Sequence, residues 1–102
     1  MLFQVIMTHS EENCPAYHKE RMPETLEAFK NLPALGEKLG VKQHSFVWCP
    51  PNHIAFLLLE SDSFDAVSRY LFSIPILQET QIIPVEHLNE TVAMAKALGG
   101  QS

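Results

Sequence analysis

The chain has 102 residues, 46% of them apolar, and a formal charge of −5, which leaves room for one domain with its own core and for no second domain. Its seven Lys and Arg are scattered, with only Lys19 and Arg21 close together, so the clustered cations that nucleic acid requires are missing. No apolar run approaches the roughly 20 residues of a membrane span, and the start Met1-Leu2-Phe3-Gln4-Val5-Ile6 has neither a basic segment nor a small-residue cleavage site; the expectation is a cytoplasmic protein with Cys14 and Cys49 as free thiols.

Leu2 to His9 is apolar on both parities and reads as a first strand, covered on both faces. Ser10 to Arg21 is polar and contains Cys14-Pro15, which predicts a loop with a helical turn. Pro23 fits the first turn of a helix whose Leu26, Phe29, Leu35 and Leu39 share a face. Pro33 is expected to kink or divide that helix, and Gly40 to end it. Val41 to Cys49 and His53 to Glu60 are β-rich and flank Pro50-Pro51-Asn52, which predicts a hairpin.

Ser61-Asp62-Ser63 supplies N-caps for a helix through about Phe72, with Phe64, Val67, Leu71 and Phe72 toward the sheet. Thr80 to His87 is the fourth strand, and its Pro84 suits an edge position or a bulge. Asn89 is placed to cap a last helix through Leu98, ended by Gly99-Gly100, with disorder expected only from Gly99 to Ser102. The order β-α-β-β-α-β plus a terminal helix is the α+β, ferredoxin-like arrangement, here one domain over residues 1–102. It predicts a four-stranded antiparallel sheet in the order 4-1-3-2, both main helices on one face, and strands one and three running parallel at the centre. The other face then needs a cover, and a second subunit supplies it.

Element order, chain length and a sheet that needs a partner resemble the dimeric α+β barrel superfamily, in which two ferredoxin-like subunits pack sheet to sheet. Met7-Thr8-His9 followed by Glu12-Asn13-Cys14-Pro15 is similar to a segment in a group of small uncharacterised bacterial proteins of that fold. The resemblance implies a homodimer. It implies no single activity, because the superfamily holds cofactor-free monooxygenases, isomerases, dehalogenating enzymes and binding proteins.

With strands one and three parallel, His9, His44, Glu60 and the Cys14-to-His18 loop converge on one edge of the sheet, and Cys49, His53 and His87 fall on the other. His9, Cys14 and His18 form H-x4-C-x3-H, and His44 offers a fourth donor, a set suited to a divalent transition metal such as zinc. The plainer reading makes His9 a strand-end residue, Cys14 a buried thiol and His18 a solvated loop residue. Without a metal, His44 or His9 can serve as general base with Glu60 fixing the imidazole, or Cys14 as a nucleophile. Phosphate loops, serine-hydrolase elbows and C-x-x-C pairs are absent from the sequence. The functional expectation is a small dimeric binding protein holding a metal ion or small polar ligand at the His9/His44/Glu60 edge. A cofactor-free isomerase or monooxygenase-like enzyme and a structural or regulatory module are the alternatives.

Overall fold

The computed structural model describes residues 1–99. Its elements are β1 (Leu2–Thr8), α1 (Met22–Leu39), β2 (Lys42–Cys49), β3 (Ile54–Glu60), α2 (Phe64–Phe72), β4 (Glu79–Val85) and α3 (Leu88–Gly99). Short 3-10 turns at Glu11–Asn13, Pro15–Tyr17 and Pro50–Asn52 punctuate the loops. The four strands form one antiparallel sheet in the order β2-β3-β1-β4, the α+β, ferredoxin-like order read from the sequence. Pro84 lies on edge strand β4, where a missing N–H leaves no central ladder bond unmade. The expected stop at Gly100 and the tail to Ser102 lie outside the described residues.

The expected direction of the third strand is overturned. β1 and β3 are antiparallel, with Leu2 opposite Glu60 and Thr8 opposite Ile54. The hairpin explains this: β3 returns from β2 and inserts between β2 and β1, so it runs against both. The strands joined through α1 are parallel to each other but not adjacent, as a right-handed crossover allows.

Alternation along the strands separates two faces. Phe3, Val5 and Met7 of β1 and Ala55, Leu57 and Leu59 of β3 are buried beneath the helices, joined by Leu32, Val67 and Tyr70. The Tyr70 hydroxyl donates to Gln43 Oε1 at 2.8 Å and ties α2 to the start of β2; burial pushes its phenol pKa up. Ser63 caps α2, its hydroxyl accepting from the Ala66 N–H at 3.1 Å. The face of α2 is rotated from the expected one, because Ala66 and Tyr70 are buried with Val67 and Leu71, whereas Phe64 and Phe72 are exposed.

The first helix also differs in detail. Pro33 lies inside α1, which continues as a single helix to Leu39, because burial of Leu32 and Gly36 on the sheet side offsets the lost backbone bond. Leu26 is exposed instead of sharing that face. Gly40 ends the helix in the left-handed conformation, φ 76°. The carbonyl of Gly36 accepts from both Gly40 N–H (2.9 Å) and Val41 N–H (2.8 Å).

Candidate functional site

The antiparallel pairing of β1 with β3 decides which side chains meet. The end of β1 lies beside the β2-β3 turn, and the His9 N–H donates to the His53 carbonyl at 3.1 Å. The rings of His9 and His53 pack edge to face at 5.1 Å between centroids. Cys14 is buried just after the first 3-10 turn beyond β1. One donor atom each from His9, Cys14 and His53 lies within 4.8 Å of the other two. Four-coordinate zinc, with bonds of about 2.0–2.3 Å, needs such atoms roughly 3.4–3.7 Å apart. Contraction of about 1 Å would therefore close the set.

Three local features build this trio. Pro15 holds the first turn after Cys14, whose carbonyl accepts from the Tyr17 N–H at 3.0 Å, fixing the loop that presents the thiol. Pro50-Pro51-Asn52 forms a 3-10 turn whose C-cap is His53. His53 adopts φ 53° and ψ 42° and is the non-glycine residue with positive φ among the described residues. That conformation is sparsely populated by residues with a side chain and is met more often at functional positions than elsewhere.

Both ring nitrogens of His9 are buried and have no hydrogen-bond partner among the described residues. Such a ring is costly to bury unless something outside the chain satisfies it. Burial, reinforced by the charge of neighbouring His53, holds the His9 pKa below its ordinary value. The neutral imidazole so favoured is the form that ligates a metal or accepts a proton.

The trio opens on a cleft of about 380 Å³ whose walls include Tyr17, Met22, Phe29 and Trp48. Phe29 packs edge to face against Trp48 at 6.1 Å, and Phe46 stacks on Trp48 at 5.5 Å. Phe29 and Trp48 thus give the cleft an aromatic wall, backed by Phe46, an arrangement suited to a small ligand with one polar anchor.

The other sequence candidates lie elsewhere. His18 turns its ring to the Glu12 carbonyl and to Glu20, Nδ1 standing 3.6 Å from the carboxylate, and is not one of the clustered donors. His44 and Glu60 lie at the far end of the sheet, where Glu60 faces Leu2 and Lys42. Six to seven residues of strand separate them from His9, about 20 Å at 3.3 Å per residue. His9 and His44 therefore cannot share one ion within a subunit; of the expected His9/His44/Glu60 edge, His44 and Glu60 do meet, 2.7 Å apart, and His9 is absent from it. His53, assigned from the sequence to the opposite edge, takes the vacated place. Antiparallel pairing of the first strand with the hairpin was the signal that would have found it.

A β-bulge between Gln43 and Ser45 takes His44 out of strand alternation. His44 thereby meets Glu60, its Nε2 lying 2.7 Å from Glu60 Oε1. That hydrogen bond is the main cause holding the Glu60 carboxyl below its ordinary pKa; partial burial opposes it, and the charges of His44, the N-terminus and Lys42 add to it. Stability from a depressed carboxyl is fully present above its unfolded pKa and lost as pH falls through the folded value. In a pH titration followed by NMR, Glu60 should ionise lower than an ordinary glutamate and move back up in His44→Ala. An unchanged Glu60 midpoint in that variant refutes the pairing. The groove bordering Glu60 also presents Lys42 and Asp62 but not His44.

No protein-family model matches the chain, and none of the curated proteins compared with it matches. Among solved structures, it is similar to a dimeric ferredoxin-like protein from an uncultured marine organism, with 16% identity, a TM-score of 0.41, and coverage of 84% of this chain and 94% of that one. The ferredoxin-like assignment made above stands on strand order and pairing in this chain. None of its described helices is long and apolar enough to cross a membrane.

Proposed function

We propose that the chain is a small single-domain binding protein that takes a divalent transition metal, zinc foremost, through His9, Cys14 and His53, with the aromatic cleft above the ion open to a small ligand. The observation that carries this reading is the clustering of three donors of the right kind, one atom from each residue and all within 4.8 Å of one another. Two imidazoles and a thiolate suit zinc, and three protein ligands leave one position of a tetrahedron free. The unpartnered nitrogens of His9 supply independent support. Free Cys14 and Cys49 fit the reducing cytoplasm expected from the sequence.

Elemental analysis of protein equilibrated with zinc and then freed of loosely held ions should find one zinc per chain. Cobalt in its place should show the thiolate-to-metal absorption of a bound Cys14. Less than a tenth of an equivalent of zinc, with no such absorption, rejects the site.

A second reading is favoured by the same ring. His9, kept neutral and facing the cleft of Trp48 and Phe29, is suited to act as general base on a small organic molecule without a metal. It succeeds the expectation that placed His44 and Glu60 beside it. The functional unit in either case is a homodimer joined sheet to sheet. Support for it comes from the outer sheet face, where Val47, Phe56 and Ile83 are 56%, 36% and 43% exposed.

A further inference from the structure

We infer that α3 is an exchanged arm, its apolar side seated on a second copy of this chain. The inference rests on the sheet-to-sheet homodimer proposed above for the identity of the partner, and adds the element that completes it.

None of the described residues of α3 is buried. Leu88, Val92, Met94 and Leu98 are all exposed, the two leucines at 78%. At 100° per residue these four, with Thr91 and Ala95, occupy one side of the helix, and Asn89, Glu90 and Lys96 lie away from it. An isolated helix of this length is marginal in water and takes its stability from packing such a stripe. The chain is correspondingly drawn out: its radius of gyration is 16.6 Å, against about 13 Å for a compact domain of this length.

The stripe begins directly after the outer edge strand. Ile83 and Val85 face outward on β4, opposite Gln4 and Leu2, and Leu88 follows three residues later. The outer face of the sheet thus carries Val47, Phe56, Ile83 and Val85, with Gln4 and Gln81 among them, and the apolar side of the arm follows it in the chain.

Area identifies the occupant. Four strands about 4.8 Å apart and seven residues long present a footprint of only about 440 Å². A stable dimer buries roughly 800 Å² per partner. One side of a twelve-residue helix, about 18 Å long and 10 Å across, adds roughly 180 Å². Sheet and arm together present about 620 Å², inside the low end of the roughly 600–1,000 Å² that each partner of a standard interface buries, whereas the sheet alone lies below that range. A twofold contact uses the same patch on both subunits, so one contact covers both arms.

The test joins sedimentation equilibrium with amide exchange on the full chain. Wild-type protein should be a dimer at micromolar concentration, with α3 amides protected and that protection lost on dilution into monomer. Leu88→Glu/Leu98→Glu should dissociate about a hundredfold more readily or more, because it removes two buried leucines from each subunit, while near-ultraviolet signals of the Trp48 core persist. Leu88→Ala/Leu98→Ala, which keeps a strong helix former at both positions, should weaken the dimer in the same direction. A dimer with unprotected α3, or both variants dimerising as wild type, overturns the arm and leaves the sheet contact standing. A monomeric wild type overturns both, and protected α3 in that monomer would show the helix folded back on its own subunit.

Discussion

Cys14→Ala and His53→Asn should each weaken zinc binding by about a hundredfold or more, whereas His44→Ala should leave it unchanged. Loss of a hydrogen-bond partner outside the ligand set typically costs 10–100-fold in metal affinity, so loss of one of three ligands must reach the top of that range or beyond. Asparagine is the substitution of choice at His53 because it tolerates the left-handed backbone there, φ 53°, so that the turn survives and only the imidazole is removed. Alanine at Cys14 keeps a small apolar group at a buried position. Competition against a chromophoric chelator measures the affinity, and far-ultraviolet dichroism checks that each variant is folded. Full affinity in Cys14→Ala, or a comparable loss in His44→Ala, would show that the metal sits elsewhere.

Gly36→Ala should lower the unfolding free energy by about 2–3 kcal/mol, a fall of very roughly 10–20 °C in midpoint for a domain of this size. A Cβ at Gly36 would stand 2.6 Å from the Val41 carbonyl oxygen and 3.3 Å from Cε1 of Tyr70. The first neighbour is backbone and cannot rotate away. The same turn carries both hydrogen bonds accepted by the Gly36 carbonyl, so the strand cannot retreat without losing them. Alanine recovers roughly 1 kcal/mol of helix propensity, which is too little to offset the clash. Gly40→Ala is the informative comparison. Nothing lies within 4 Å of its added methyl, and the cost is that of forcing alanine into φ 76°, about 1–2 kcal/mol. Thermal denaturation at matched protein concentration reads both, and a Gly36→Ala protein as stable as wild type would show that α1 and β2 are not packed this closely.

Element order and strand order were legible along the chain because they follow from local signals: the apolar run Phe3 to Met7, the breakers Pro50-Pro51, the Ser63 cap and the Pro84 edge position. The residues His9 and Cys14 were legible as donors for the same reason, being chemistry carried by single side chains. Their partner was not. Whether His9 meets His44 or His53 depends on the direction in which β3 runs past β1, and that direction is a property of three strands at once, settled when the β2-β3 hairpin inserts beside β1 and places Thr8 opposite Ile54. The bulge that frees His44 to reach Glu60 and the rotation that buries Tyr70 while leaving Phe72 in solvent are of the same kind. Periodicity gives each segment a face, but register and direction come from long-range hydrogen bonds and packing, and these decide which faces and which ends are brought together.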